Sequence, residues 1–176
     1  MQRENSEHLI RAAGAISGSK HIIVIGSQAI LGQFPSGAPP RATLSMEADL
    51  IPADAPDMSE LLTGSLGELS PFHDTFGYYG DRVSFQTATL PQGWRERLIP
   101  IDKPNTHGYV GLCLEVHDLL IAKYFTGREK DREFCGAVGA AGLVSQQTLL
   151  NRLNATELDS VACERMQRAI VADFPR

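Results

Sequence analysis

Apolar residues recur along this chain in two rhythms, and each change of rhythm marks a new element. Leu9, Ala13 and Ile16 fall on one stripe of a helix across residues 5–17, which Gly18-Ser19 closes. Ile22 to Ile25 then form an unbroken apolar run into Gly26-Ser27, and SQAILGQ follows with helical composition. That pattern predicts a buried strand delivering a tight turn to a short helix. The stretch FPSGAPPRATLS (34–45), with three prolines and one glycine, predicts a loop.

In SMEADLIPA the rhythm is two: Met46, Ala48 and Leu50 alternate with Glu47, Asp49 and Ile51, as in a strand. DAPDMSELLTGSLGEL returns to a helical rhythm. Pro56 stands in its first turn, and Met58, Leu61, Leu62 and Leu66 form the expected apolar face. FGYYGDRVSFQTATLPQGW has strand-forming residues on both sides of Gly80-Asp81, which predicts a hairpin turning there. RERLIPI predicts a further strand, before a turn-rich stretch through Pro104 and Gly108. From Val116 onward the pattern is helical, interrupted at Gly127, Gly142 and Asn154.

This order predicts an α+β fold with the sheet early and the helices late. It divides into an α+β core over 1–110 and a helical region over 111–176, packed on the core as a second unit or as part of one compact domain. Strands and helices do not alternate regularly enough for a doubly wound sheet. The glycine turn also lacks G-x-G-x-x-G and a Walker lysine, so the two commonest nucleotide folds are disfavoured.

Composition changes this picture in few places. With 176 residues, 43% apolar and 21% charged, the chain can bury an ordinary globular core. No apolar run approaches the ~18 residues of a membrane span. The charged, then amphipathic N-terminal stretch has neither the apolar segment nor the cleavage site of a signal peptide, which predicts a cytoplasmic protein. Cys113, Cys135 and Cys163 are widely spaced, without CxxC or Cys/His metal spacing, and read as free thiols. A net charge of -5 argues against binding duplex DNA while leaving room for a local basic pocket.

The candidate chemistry begins with Glu47 and Asp49. Two residues apart on a strand, their carboxylates share one face. Side by side they repel, and burial penalises both; a divalent cation between them removes both costs. Oxygen ligands without His or Cys suit Mg²⁺, completed by water and substrate phosphates. The competing reading is an ordinary edge strand with its acids in water. The Gly26-Ser27 turn one strand earlier favours the metal, because a phosphate-holding turn beside an acidic strand is a phosphoryl-transfer arrangement.

Further on, Val116, Leu119, Leu120 and Lys123 share one helical face. A lysine on an apolar stripe either reaches outward to water or meets an acid or a phosphate. If the helix continued past Gly127, Asp131 would follow two turns later on the same face, making a Lys123–Asp131 ion pair the structural alternative. Arg128 and Lys130 add positive charge nearby, or belong to a solvated REKDRE face. The five histidines show no HExxH or HxH spacing and read as surface or satisfied core residues. Trp94 reads as a core or loop anchor.

IVIGSQAIL and SMEADLI together resemble the signature of the DNA polymerase β-like nucleotidyltransferase superfamily: a strand ending in Gly-Ser, a helix, then a strand with two alternate acids. LEVHDLLIAKYFTGREKDREF (114–134) is similar to a downstream helical motif of small bacterial members related to AbiEii-type toxins. The resemblance implies a small mixed sheet flanked by helices and followed by a helical C-terminal part. It implies Mg²⁺- or Mn²⁺-dependent transfer of an NMP from an NTP to a hydroxyl, with a protein side chain or tRNA as acceptor and a cognate antitoxin as partner. Glu47 and Asp49 would be metal ligands and catalytic, Lys123 catalytic and phosphate-binding, and Gly26, Ser27 and Arg128 nucleotide contacts.

Two features depart from that pattern. The segment between Ser27 and Glu47 exceeds the usual gap, and the Pro-rich loop accounts for the excess. Active members also carry a third carboxylate on a later strand, where DRVSFQTATL offers only Asp81, with Asp74 before it. The alternative is therefore a catalytically inactive relative that keeps the fold as a binding or interaction module.

Overall fold

The computed structural model describes residues 1–83 and 88–174. Helix α1 (Arg3–Ser17) ends where Gly18 adopts φ 70°, its N–H donating to Gly14 O at 2.9 Å, a left-handed closure that glycine permits without strain. The chain then enters β1 (His21–Val24). A 3₁₀ turn (Ser27–Ala29), the short α2 (Ile30–Gln33) and the Pro-rich loop, with its own 3₁₀ turn at Pro40–Thr43, lead to β2 (Glu47–Pro52). Helices α3 (Ser59–Leu66) and α4 (Pro71–Phe76) precede β3 (Tyr79–Arg82). Strands β4 (Ile99–Ile101) and β5 (Val110–Cys113) complete the sheet. Helices α5 (Val116–Thr126), α6 (Glu129–Ala140), α7 (Gln146–Asn154) and α8 (Ser160–Asp173) follow.

The sheet has the order β3-β2-β1-β5-β4. β1 is antiparallel to β2 and parallel to β5; β2 is parallel to β3, and β4 is antiparallel to β5. This is an α+β fold, a five-stranded mixed sheet with a helical C-terminal part. Leu9, Ile10 and Ala13 of α1 have no exposed surface and pack with Ile22, Ile23, Leu50 and Ile51 of the strands. The same apolar cluster continues through Leu120, Phe134, Leu149 and Met166 of the later helices. Each fully buried Leu, Ile or Phe contributes about 1.5–3 kcal/mol. Asp118, wholly buried on α5, accepts from Arg97 Nε and Nη2 at 2.8 and 3.1 Å and lies 3.1 Å from Arg152 Nε, joining α5 to the 3₁₀ turn Trp94–Arg97 before β4 and to α7.

Two expectations are corrected. Gly80 and Asp81 do not turn a hairpin; they lie inside β3, which pairs parallel to β2. Glycine is needed at 80 for packing: a Cβ there would stand 2.6 Å from Leu50 Cδ1 and 3.3 Å from Leu9 Cδ2. The second half of the expected hairpin, 84–87, lies outside the described residues. On α3 the apolar core face is Leu62 and Leu66; Leu61 is 48% exposed, and Met58, 39% exposed, precedes the helix. Sequence periodicity also missed β5, a four-residue strand, and α4, a helix of six residues.

Candidate functional site

At the end of β1 the Ile25 N–H donates to Asp49 O at 3.2 Å, and the chain turns at Gly26. Gly26 has extended dihedrals that any residue could adopt (φ -84°, ψ -166°). What requires glycine is contact: a Cβ here would lie 1.5 Å from Asp49 Oδ2. The Asp49 carboxylate therefore rests directly against the turn. The Ala29 N–H donates to Gly26 O at 2.9 Å to close the turn, and no side chain caps it. Buried Gln28 donates from Nε2 to Ser45 O at 3.0 Å, fixing the end of the Pro-rich loop beside the turn.

Strand alternation sorts β2 into two faces. Ala48 and Leu50 are buried toward α1, while Glu47 and Asp49 are half-buried on the opposite face. That face opens into a cavity of about 790 Å³. Gly26, Ser27, Glu47 and Asp49 form its floor, with Lys123 and Arg128 among the walls. The structure thus brings all six sequence-selected residues to one place.

Burial raises the Asp49 carboxyl above the ordinary carboxylate range, against a lowering pull from Lys123, and Asp81 adds to the rise. Glu47 is raised as well, first by burial, then by Asp49 and Asp81. Ionising both acids with no counter-charge between them is therefore unfavourable, the condition a divalent cation relieves. The donor set, two carboxylates with no sulfur or imidazole, fits Mg²⁺ or Mn²⁺ with remaining positions left for water and substrate oxygens.

On the facing wall, Lys123 is 9% exposed; its Nζ lies 3.0 Å from Asp131 Oδ1 and 4.5 Å above the Phe134 ring. Asp131, 1% exposed, also accepts from Arg128 Nε and Thr126 Oγ1, each at 2.7 Å. Although burial pushes the Asp131 carboxyl up, these partners hold it down at about 2. The pair does not form along one helix as expected. Gly127 at φ 63° closes α5, α6 starts at Glu129, and Lys123 meets Asp131 across that corner. Lys123 is at once an ion-pair member and a cavity residue.

Sequence reasoning missed Thr126, Arg41 and Glu133. Arg41 Nη2 and Glu133 Oε1 are 2.7 Å apart at the cavity's edge. Nothing local marks Arg41, a charge after two prolines in a loop; only the fold carries that loop to α6. The charged lining is then even, Arg41, Lys123, Arg128 and Lys130 against Glu47, Asp49, Asp131 and Glu133.

Residues 7–174 match the family described as "Nucleotidyltransferase of unknown function (DUF6036)". The chain belongs to this family. No curated protein and no solved structure matches it. Among the described residues, no helix is long and apolar enough to cross a membrane.

For a nucleotidyltransferase of this family the third carboxylate becomes the sharpest question. Asp81 stands directly opposite Asp49 in the parallel β2–β3 register, so both side chains leave the sheet on one face. It accepts from Thr63 Oγ1 and from the Arg82 N–H, each at 2.8 Å. Asp74 is exposed on α4, and neither Asp74 nor Asp81 is among the residues that line the cavity. Among the described residues, no three His, Cys, Asp or Glu side chains are grouped to hold a metal. The metal-ligand candidates gathered at the floor are the pair Glu47 and Asp49.

Proposed function

We propose that this protein is an Mg²⁺- or Mn²⁺-dependent nucleotidyltransferase that moves an NMP from an NTP to a hydroxyl acceptor. The observation that supports this reading is the contact between the Asp49 carboxylate and the Gly26 turn, the turn we propose to hold phosphate. Glu47 and Asp49 would hold the cation, which neutralises phosphate charge when bound. The backbone N–H groups and hydroxyl of Gly26-Ser27 take triphosphate oxygens. Lys123 and Arg128 set positive potential on the opposite wall. Asp81, beside Asp49, is the group placed to accept the proton of the attacking hydroxyl. The acceptor is a protein side chain or tRNA, and the kinship proposed with AbiEii-type toxins would place the enzyme beside a cognate antitoxin in the cytoplasm.

A second reading rests on Asp81 itself. Hydrogen bonds from Thr63 Oγ1 and the Arg82 N–H both end on its Oδ1 and tie that oxygen to the fold, and Asp81 is not among the residues that line the cavity. With that acid committed, the protein would be an inactive binding module that still holds nucleotide.

Calorimetry with a nonhydrolysable NTP separates site from coincidence. Mg²⁺ is expected to raise affinity in the wild type, and Glu47→Gln with Asp49→Asn to abolish that dependence while the protein stays folded. Metal-independent binding in the wild type would overturn the site. Transfer of an α-labelled NTP to a lysate acceptor then divides the enzyme from the module.

A further inference from the structure

We infer that Arg41, carried on the Pro-rich loop, is a phosphate-binding residue of this cavity, held by Glu133 until an anion displaces that carboxylate. The inference rests on the reading of the cavity as a triphosphate site. Lys123 and Arg128 both spend their charge on buried Asp131, so a phosphate must compete for them with a carboxylate that prefers to stay ionised. Arg41 faces a weaker competitor. The side chains of Arg41 and Glu133 are 55% and 43% exposed, and an ion pair so open to water contributes little. A guanidinium also matches two phosphate oxygens at once, and Glu133 returns to solvent at small cost.

The loop does not depend on the pair for its position. Ala42 beside it is 1% exposed, and Gln28 holds Ser45 O. Pro39 at φ -62° and Pro40 in the first turn position fix the backbone that presents Arg41. Charge balance points the same way. The cavity's cations and carboxylates are equal in number, so a divalent cation on Glu47 and Asp49 leaves it net positive. Release of Glu133 from Arg41 adds to that excess where a triphosphate would lie.

The test exploits the sign of two substitutions in the full-length chain with Mg²⁺, using inorganic tripolyphosphate and a nonhydrolysable NTP as calorimetric probes. Arg41→Ala is expected to weaken both probes about tenfold, the loss of a charged hydrogen-bond donor. Arg41→Lys should fall between. Glu133→Gln is expected to tighten both a few-fold, and Arg41→Ala with Glu133→Gln to match Arg41→Ala alone. A purely structural strap moves both single variants in one direction, and that result overturns the inference, as does no change in either. If Glu47- and Asp49-dependent binding persists while Arg41 is silent, only this inference falls. If the wild type binds neither probe with Mg²⁺, the triphosphate reading falls with it. Melting curves confirm that each variant is folded.

Discussion

Replacing Asp131 by Asn tests the wall that faces the acid pair. Asp131 is 1% exposed and accepts from Lys123, Thr126 and Arg128. Its carboxyl lies near 2 in the fold against an ordinary 3.8, a gap worth about 2 kcal/mol of stability at neutral pH. Asn keeps the shape but takes from buried Lys123 the carboxylate it pairs with, and removing one member of a buried pair costs about 3–5 kcal/mol. A loss of about 2–4 kcal/mol is expected, which lowers the melting temperature by about 5–12 °C in a chain of this size. The lowered pKa fixes the pH dependence. The contribution is complete above the unfolded value of 3.8 and fades as pH falls toward 2, so the gap between wild type and variant should be constant from pH 7 to 5 and shrink below 4. Thermal unfolding by circular dichroism across that range reads both. Lys123→Met should cost less, because Asp131 keeps Arg128 and Thr126 and the new side chain still packs on Phe134. A drop under ~2 °C at pH 7 for Asp131→Asn, or a gap indifferent to pH, would refute the reasoning.

Three further outcomes concern the glycine turn and the acids near it. Gly26→Ala forces the Asp49 carboxylate off the turn, costing about 1–3 kcal/mol as an overpacked site and removing metal-linked nucleotide binding in the calorimetric assay. Glu47→Gln with Asp49→Asn should raise the melting temperature of the metal-free protein at pH 7. Both acids have raised folded pKa values, so the penalty they impose is full above those values and disappears as pH falls toward their ordinary range; the gain should disappear with it. Asp81→Asn should abolish label transfer and Asp74→Asn leave it near wild type; the reverse order would dismiss Asp81 as the base.

How much of this was legible depends on how local each signal is. The α1 stripe, the apolar run of β1 and the alternation of β2 each lie within one element, and each formed where the pattern put it. Gly80 misled because one residue type serves two purposes. Glycine permits a turn, and it also permits a helix to approach a strand; Leu9 and Leu50 decide for the second. VGLC was too short to carry a period, and only pairing with β1 and β4 makes it a strand. The α4 signal was present in Ser70, Pro71 and Gly77, cap, first-turn proline and left-handed closure, but too few residues separate them to show periodicity.

The site divides in the same way, and the division bears on its function. Glu47 and Asp49 were visible because a two-residue spacing fixes a common face, and Lys123 because it interrupts an apolar stripe. Arg41 and Glu133 carry no such mark, and Asp81 acquires its place beside Asp49 only through parallel register. The visible residues are those that break a local rule: two like charges sharing a half-buried face, a lysine on an apolar stripe, a glycine whose dihedrals do not demand it. The acid pair works against the fold, since burial raises both carboxyl groups and Asp49 and Asp81 raise Glu47 further. The acid pair, Lys123 and the Gly26 turn meet at one cavity, with Asp49 against the position a side chain at 26 would take, and that meeting is the ground for proposing a binding site there.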